Sequence, residues 1–382
     1  VVDHLVAYHT HSPQIKSDIV GFSRLLGFAC DEGIEFALGQ ILFWFIYHHL
    51  LNEVRMVMER RAKILFAGLI TVILVGAGIA VIVPQLLRPD VRIGYLTADL
   101  HQLALFVALD QGYFLEEGLR VEIVEFQSGN YEMSGFLGGI IDMGYVGAAP
   151  ALNFHINTGV EIRLMAGVNL EGSAIVVASN INSMADLIGQ SVATPAPGNV
   201  QDILLALACN QSGVDFLNEV HRLHLSPTMM IQQLQSGQIS GFVAWEPYIA
   251  SSLDQSVGKI LNTSHEIWPS HPCCVVASQL AFLQTRPDIV EKVIRIHQRA
   301  TDFINTHQSL AIQIGVRWTG FSEAVIETAM SRILYNTSLI SEGFRTYLNA
   351  LAYYDFISGY NSTQIDALLD YIVDDQFLEG GS

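Results

Sequence analysis

Residues 64–83 read ILFAGLITVILVGAGIAVIV, twenty residues without a charge, and no other feature constrains this chain so firmly. At 1.5 Å per residue, a helix of that length spans a hydrocarbon core of roughly 30 Å. Arg60, Arg61 and Lys63 stand directly before the run, and only Arg88 and Arg92 stand close behind it. The bias of basic residues towards the cytoplasm keeps the N-terminal flank inside and places everything after the run outside. The run is longer than a usual signal-peptide core. Residues 58–89 are therefore expected to be a basic flank and an uncleaved transmembrane anchor. Gly78-Ile79-Ala80 keeps a cleaved signal open as the alternative, and no lipobox cysteine follows. Residues 1–57 form an uncertain extension. Met58 opens a well-formed basic head and apolar core. The upstream part is then either an over-extended reading frame or the carrier of a second, short membrane-associated helix over residues 36–51.

Residues 1–89 hold as many basic as acidic residues, so the net charge of −18 belongs wholly to residues 90–382. A domain that acidic repels nucleic acid, and no nucleic-acid partner is expected. The four cysteines, Cys30, Cys209, Cys273 and Cys274, show neither CxxC nor Cys/His ligand spacing, so no metal and no cofactor are expected. Adjacent Cys273 and Cys274 would form a strained ring if bridged to each other. A Cys209–Cys274 disulfide and free thiols both stay open.

After Pro89, short strands alternate with longer helices. Strands are predicted at residues 91–95, 119–126, 142–146, 162–168, 174–178, 191–194, 221–225 and 241–245. Helices are predicted between them, at 103–109, 131–137, 200–212 and 227–236. From Pro287 the pattern is mostly helical, over 288–306, 322–334, 340–351 and 363–373. Such alternation argues for α/β architecture with parallel sheets. Ligands in open parallel sheets bind beyond the carboxyl ends of the strands. Here those loops are 97–102, 147–150, 171–173, 195–199 and 245–248, rich in Gly and Pro. None of the five contains Lys or Arg, so a bound anion would depend on backbone amides and helix N-termini, and a neutral, flat ligand fits Trp245 at least as well. An arginine reaching between the lobes would remove that ground.

Four stretches occur in an order and spacing that resemble a known family: GYFLEEGLRVEI at 112–123, GGIIDMGYVGAAPAL at 138–152, SMADLIGQSVATPAPGN at 183–199 and LQSGQISGFVAWEPY at 234–248. The chain resembles the NMT1/THI5-like (SsuA/TauA type) solute-binding proteins of ABC importers over roughly residues 90–310. The resemblance implies a type II periplasmic-binding fold, with two α/β lobes joined by a double crossover. Lobe one would be 90–174 plus 271–382, and lobe two 175–270. A small-molecule solute would be clamped between them, with ABC permease and ATPase subunits as separate chains and no catalysis. Carried over by motif, the ligand-binding candidates are Ala148 and Ala149, Gly198 and Asn199, and Trp245 with Glu246. Position in the first loop adds Thr97 and His101. His271, Cys273 and Cys274 fall near the expected crossover, where either cysteine is a small buried hydrophobe or a pocket wall.

Two other classes compete. A membrane-tethered sensor or scaffold would use the same fold and anchor. A pyridoxal-phosphate-using pyrimidine synthase, found among the family's fungal relatives, would need a cofactor lysine. Residues 90–382 offer only Lys259 and Lys292, and HPCCVV at 271–276 is a much reduced cysteine motif.

Overall fold

The computed structural model describes residues 32–86 and 88–378, with the side chains of all of these except 32–40, 42, 76–86 and 362. The chain divides into two compact units, 1–87 and 88–382.

In the first unit, one helix runs from Glu32 to Leu86 over 55 residues, about 82 Å at 1.5 Å per residue. Residues 36–51 and 64–83 belong to this single uninterrupted helix and do not form a hairpin. Its described apolar side chains face outwards: Phe43 and Leu65 are both 74% exposed. Among the described residues no helix is long and apolar enough to cross a membrane. The charge-free run continues to Val83, but the side chains of its second half, from residue 76, lie outside the described residues.

In the second unit, the strands among the described residues are β1 (Val91–Leu96), β2 (Val121–Phe126), β3 (Met143–Gly147), β4 (Ile162–Glu171), β5 (Ser173–Val177), β6 (Ser191–Thr194), β7 (His221–His224), β8 (Gly241–Trp245), β9 (Lys259–Thr263), β10 (Pro272–Gln279) and β11 (Ile333–Tyr335). They form two sheets, ordered β11-β4-β10-β3-β1-β2 and β7-β6-β8-β5-β9. The expected parallel sheets are in fact mixed. β2, β1 and β3 run parallel, but β10 lies antiparallel between β3 and β4. In the second sheet β7, β6 and β8 run parallel while β5 and β9 pair antiparallel. The cause is non-local. The chain leaves the first sheet after β4, builds the second, and returns as β10, a pairing that local alternation does not record.

β3 and β8 are buried along their whole length, as befits central strands covered on both faces. Phe106, Phe136, Tyr145, Phe344 and Tyr347 fill the first core, and Met230, Phe242 and Ile249 the second. Two connections join the sheets, one at Gly172 and one through 264–271. Glu171 ties them together. Its Oε1 accepts from Ser270 N and from His265 Nδ1, each at 2.7 Å, and its own N donates to His271 O at 3.1 Å. Gly172 has φ +84°, and a Cβ there would lie 2.3 Å from His101 Nε2. Both facts require glycine.

Candidate functional site

The end of β1 opens the site. Asp99 caps a short 3-10 turn, Leu100–Gln102, by accepting from His101 N at 2.9 Å. That turn carries the His101 ring inwards, where it is 1% exposed. His101 Nε2 lies 2.9 Å from Gly172 O. A carbonyl only accepts, so Nε2 carries hydrogen and Nδ1 turns the other way. Nδ1 lies 3.5 Å from Cys273 Sγ, 3.8 Å from Cys274 Sγ and 3.7 Å from Asp99 Oδ1. Successive strand side chains ordinarily point to opposite faces. Here the β10–β4 register shifts on both sides of Cys274, and such a bulge re-aims side chains. Both thiols face His101, 3.9 Å apart.

A small cavity of about 20 Å³ lies against this group. His101, Asp99, Cys273 and Cys274 line it from the side of the first sheet, and Asn199, Gln201 and Trp245 from the second. Three helix starts also line it: Gly129 of Gly129–Leu137, Gly147 before Ala148–Thr158, and Asn199 before Val200–Gln211. Helix N termini carry unpaired N–H groups and a positive dipole end. The Asn199 side chain accepts from Asp202 N at 2.9 Å. Trp245, 3% exposed, buries its Nε1–H without a hydrogen-bond partner.

Of the expected residues, His101, Asn199 and Trp245 reach the cavity wall. The others are not part of its lining. Ala148 and Ala149 are fully buried one and two residues beyond the Gly147 wall. Gly198, at φ +63°, donates its N–H to Asp202 Oδ2 at 2.9 Å. Thr97 donates its hydroxyl to Phe126 O at 3.2 Å. Glu246 is fully buried, accepting from Ala250 N at 3.0 Å and from Arg332 Nη1 at 2.6 Å. Arg332 thus reaches from the start of β11 in the first sheet to the end of β8 in the second. Arg332 does not line the cavity, and its guanidinium is taken up by Glu246, so it brings the cavity no free positive charge. The sequence reading also missed Asp99 and Gly147. Asp99 carried a signal, since it sits two residues before His101 as a cap.

Of the two states left open for the cysteines, disulfide or thiol, the structure holds the second. Cys209, Cys273 and Cys274 are buried free thiols. The two on β10 do more than fill space. The Cys274 thiol donates to Cys273 and, against the cost of burial, holds it well below the usual thiol range, with His101 adding to the effect. Cys274 is correspondingly raised. Burial opposes the charge on His101, yet Cys273 and Asp99 lift its pKa to about 9. Burial lifts Asp99 to about 7, against the pull of His101. The His101 and Cys273 shifts both run towards a charged imidazole beside a charged thiol. Glu132 is fully buried with neither carboxylate oxygen partnered, and burial raises it well above the usual carboxylate range. Neither lysine serves the cavity: Lys259 donates to Asn182 and Lys292 to Glu117 O.

A family model described as the NMT1-like family matches residues 86–314. The nitrate import ATP-binding protein NrtC of Synechococcus elongatus is 27% identical over 218 residues, covering 53% of this chain and 33% of that protein. A putative aliphatic sulfonates-binding protein of Bacillus subtilis is 22% identical over 246 residues, covering 62% and 72%. The chain thus spans only about a third of the first of these curated relatives. The crystal structure of the periplasmic nitrate-binding protein NrtA from Synechocystis superposes with a TM-score of 0.69 at 15% identity, over 76% of this chain and 88% of that one. At that identity the likeness establishes the fold.

Proposed function

The chain belongs to the NMT1-like family, and on that premise we propose that it is the extracytoplasmic solute-binding component of an ABC importer, clamping a small solute between two α/β lobes. The observation that carries this reading is the cavity between the two sheets, where three helix starts and the unpartnered Trp245 N–H converge. Donors of that kind suit a solute presenting acceptor oxygens, such as a small oxyanion. The names of a nitrate-binding protein of like fold and of a putative sulfonates-binding relative point the same way. His101, Asn199 and Trp245 are the contacts. Thr97, Ala148, Ala149, Gly198 and Glu246 hold the loops that present them.

A cavity of about 20 Å³ has room for about one water. Solute entry therefore requires lobe one (90–174 plus 271–382) and lobe two (175–270) to part. The hinge is the pair of connections that Glu171 joins, and closure around ligand completes the site. The permease and ATPase are separate chains. Residues 64–83, with Arg60, Arg61 and Lys63 before them, anchor the chain in the membrane with the acidic domain outside.

A thermal-shift screen of the purified full chain tests the clamp, with nitrate, bicarbonate, alkanesulfonates and thiamine-type pyrimidines. An oxyanion at 100 times its dissociation constant adds about 2.7 kcal/mol of stability, and Trp245→Phe removes the shift. A flat panel from a folded chain overturns the importer reading in favour of a tethered sensor or scaffold.

A further inference from the structure

We propose that His101, Cys273 and Cys274 form a binding site for a thiophilic divalent cation of the zinc class, open at its fourth position to the cavity. The three ligand atoms lie within 4.8 Å of one another, and all three residues are buried. Their spacing fits a tetrahedron. Zinc bound at about 2.3 Å to sulfur and about 2.0–2.1 Å to nitrogen sets S···S at about 3.8 Å and S···N at about 3.5 Å. The chain holds 3.9 Å between the two thiols, and 3.5 and 3.8 Å from them to His101 Nδ1.

Three features prepare these atoms independently of the distances. The His101 Nε2–H is committed to Gly172 O, the arrangement that fixes a ligating imidazole by its far nitrogen. The register shifts around Cys274 turn two adjacent thiols to one side of a strand, which regular pleating forbids. Gly172, where any side chain would strike the imidazole, leaves the ring room to sit there. Two sulfurs and one nitrogen make a soft donor set, which selects zinc-like ions over calcium or magnesium. No spacing in the sequence announces the site, because His101 lies 172 residues before Cys273. The remaining corner belongs to the cavity that all three residues line. There a water, or an oxygen of the solute, would complete the coordination; this last consequence alone rests on the importer reading.

The test uses the full chain, purified reduced and without chelators, and the metals alone. Elemental analysis is expected to find about one zinc per chain after loading and dialysis. Cobalt(II) in its place is expected to give tetrahedral visible bands and a near-ultraviolet thiolate charge-transfer band of two-sulfur strength. His101→Gln and Cys273→Ser should lose the zinc and weaken the band, with folding checked by near-ultraviolet circular dichroism. Cys209→Ser, which removes a buried thiol elsewhere, should keep both. A folded wild-type chain that retains no zinc and gives no thiolate band overturns the site. So does a folded His101→Gln chain with an unchanged cobalt spectrum. Neither readout involves a solute, so failure here and failure of the thermal-shift screen are separate results.

Discussion

His297 shows how one side chain ties the first sheet to pH. It is fully buried, with Nε2 2.8 Å from Gly167 O and Nδ1 3.2 Å from the Tyr145 hydroxyl. The carbonyl only accepts, so Nε2 carries hydrogen and Nδ1 accepts from Tyr145. Burial pushes the pKa down to about 4. In the unfolded chain it returns to about 6.5, so the unfolded state binds more protons between those values. Stability present above pH 6.5 is lost as pH falls towards 4. Denaturant titrations should show wild type losing about 2 kcal/mol more than His297→Gln between pH 7 and pH 5. Equal losses would refute the assignment. Single residues also mark the limit of what the sequence reveals about the site. His101, Asn199 and Trp245 were legible because they end strands or open helices, where α/β ligands sit. Cys273 and Cys274 were legible only as buried hydrophobes or pocket walls near the crossover; that both thiols turn inwards together follows from the bulge on β10. Glu246 reads as a contact beside Trp245, yet its carboxylate is occupied by Ala250 N and Arg332.

At the scale of elements, the strands that follow local alternation were legible, β1, β6 and β8 among them, and those made by long-range return were not. β10 opens on Pro272 and continues as an unalternating apolar run, a pattern that does not separate strand from helix. Residues 322–334 read as one helix. The helix actually ends at Met330, and the chain extends into β11, pairing with β4. That turn is what aims Arg332 at Glu246, so the ion pair joining the sheets was hidden with it. Glu246 is fully buried, and the Arg332 side chain is 25% exposed. Removing a partner from a buried pair costs about 3–5 kcal/mol. Arg332→Met should cost about 2–3 kcal/mol, since Arg332 keeps some solvent. Adding Glu246→Gln should restore much of the loss by removing the stranded charge. Chemical denaturation of the two single variants and the double decides it. Strictly additive losses would mean that the two side chains do not interact.

At the scale of the whole molecule, charge and hydropathy are divided along the chain. The helix Glu32–Leu86 carries the basic cluster and the charge-free run, while every unit of net negative charge falls after Pro89. The sequence states this division plainly, because hydrophobic length and flanking basic residues are local quantities. An anchored solute-binding domain would hold its cleft at the membrane surface, where an importer takes up its cargo, and its acidity would keep it off anionic headgroups. In a bacterial host, the full chain should sediment with membranes and resist an alkaline wash. Deleting residues 64–83 should leave the domain soluble. Protease added to intact spheroplasts should digest residues 90–382 in the full chain if, as proposed, the basic flank stays inside. A protected domain would reverse the orientation. A chain found soluble outside the cell, shortened near Ala80, would make the same apolar run a cleaved signal and the binding domain a free periplasmic one.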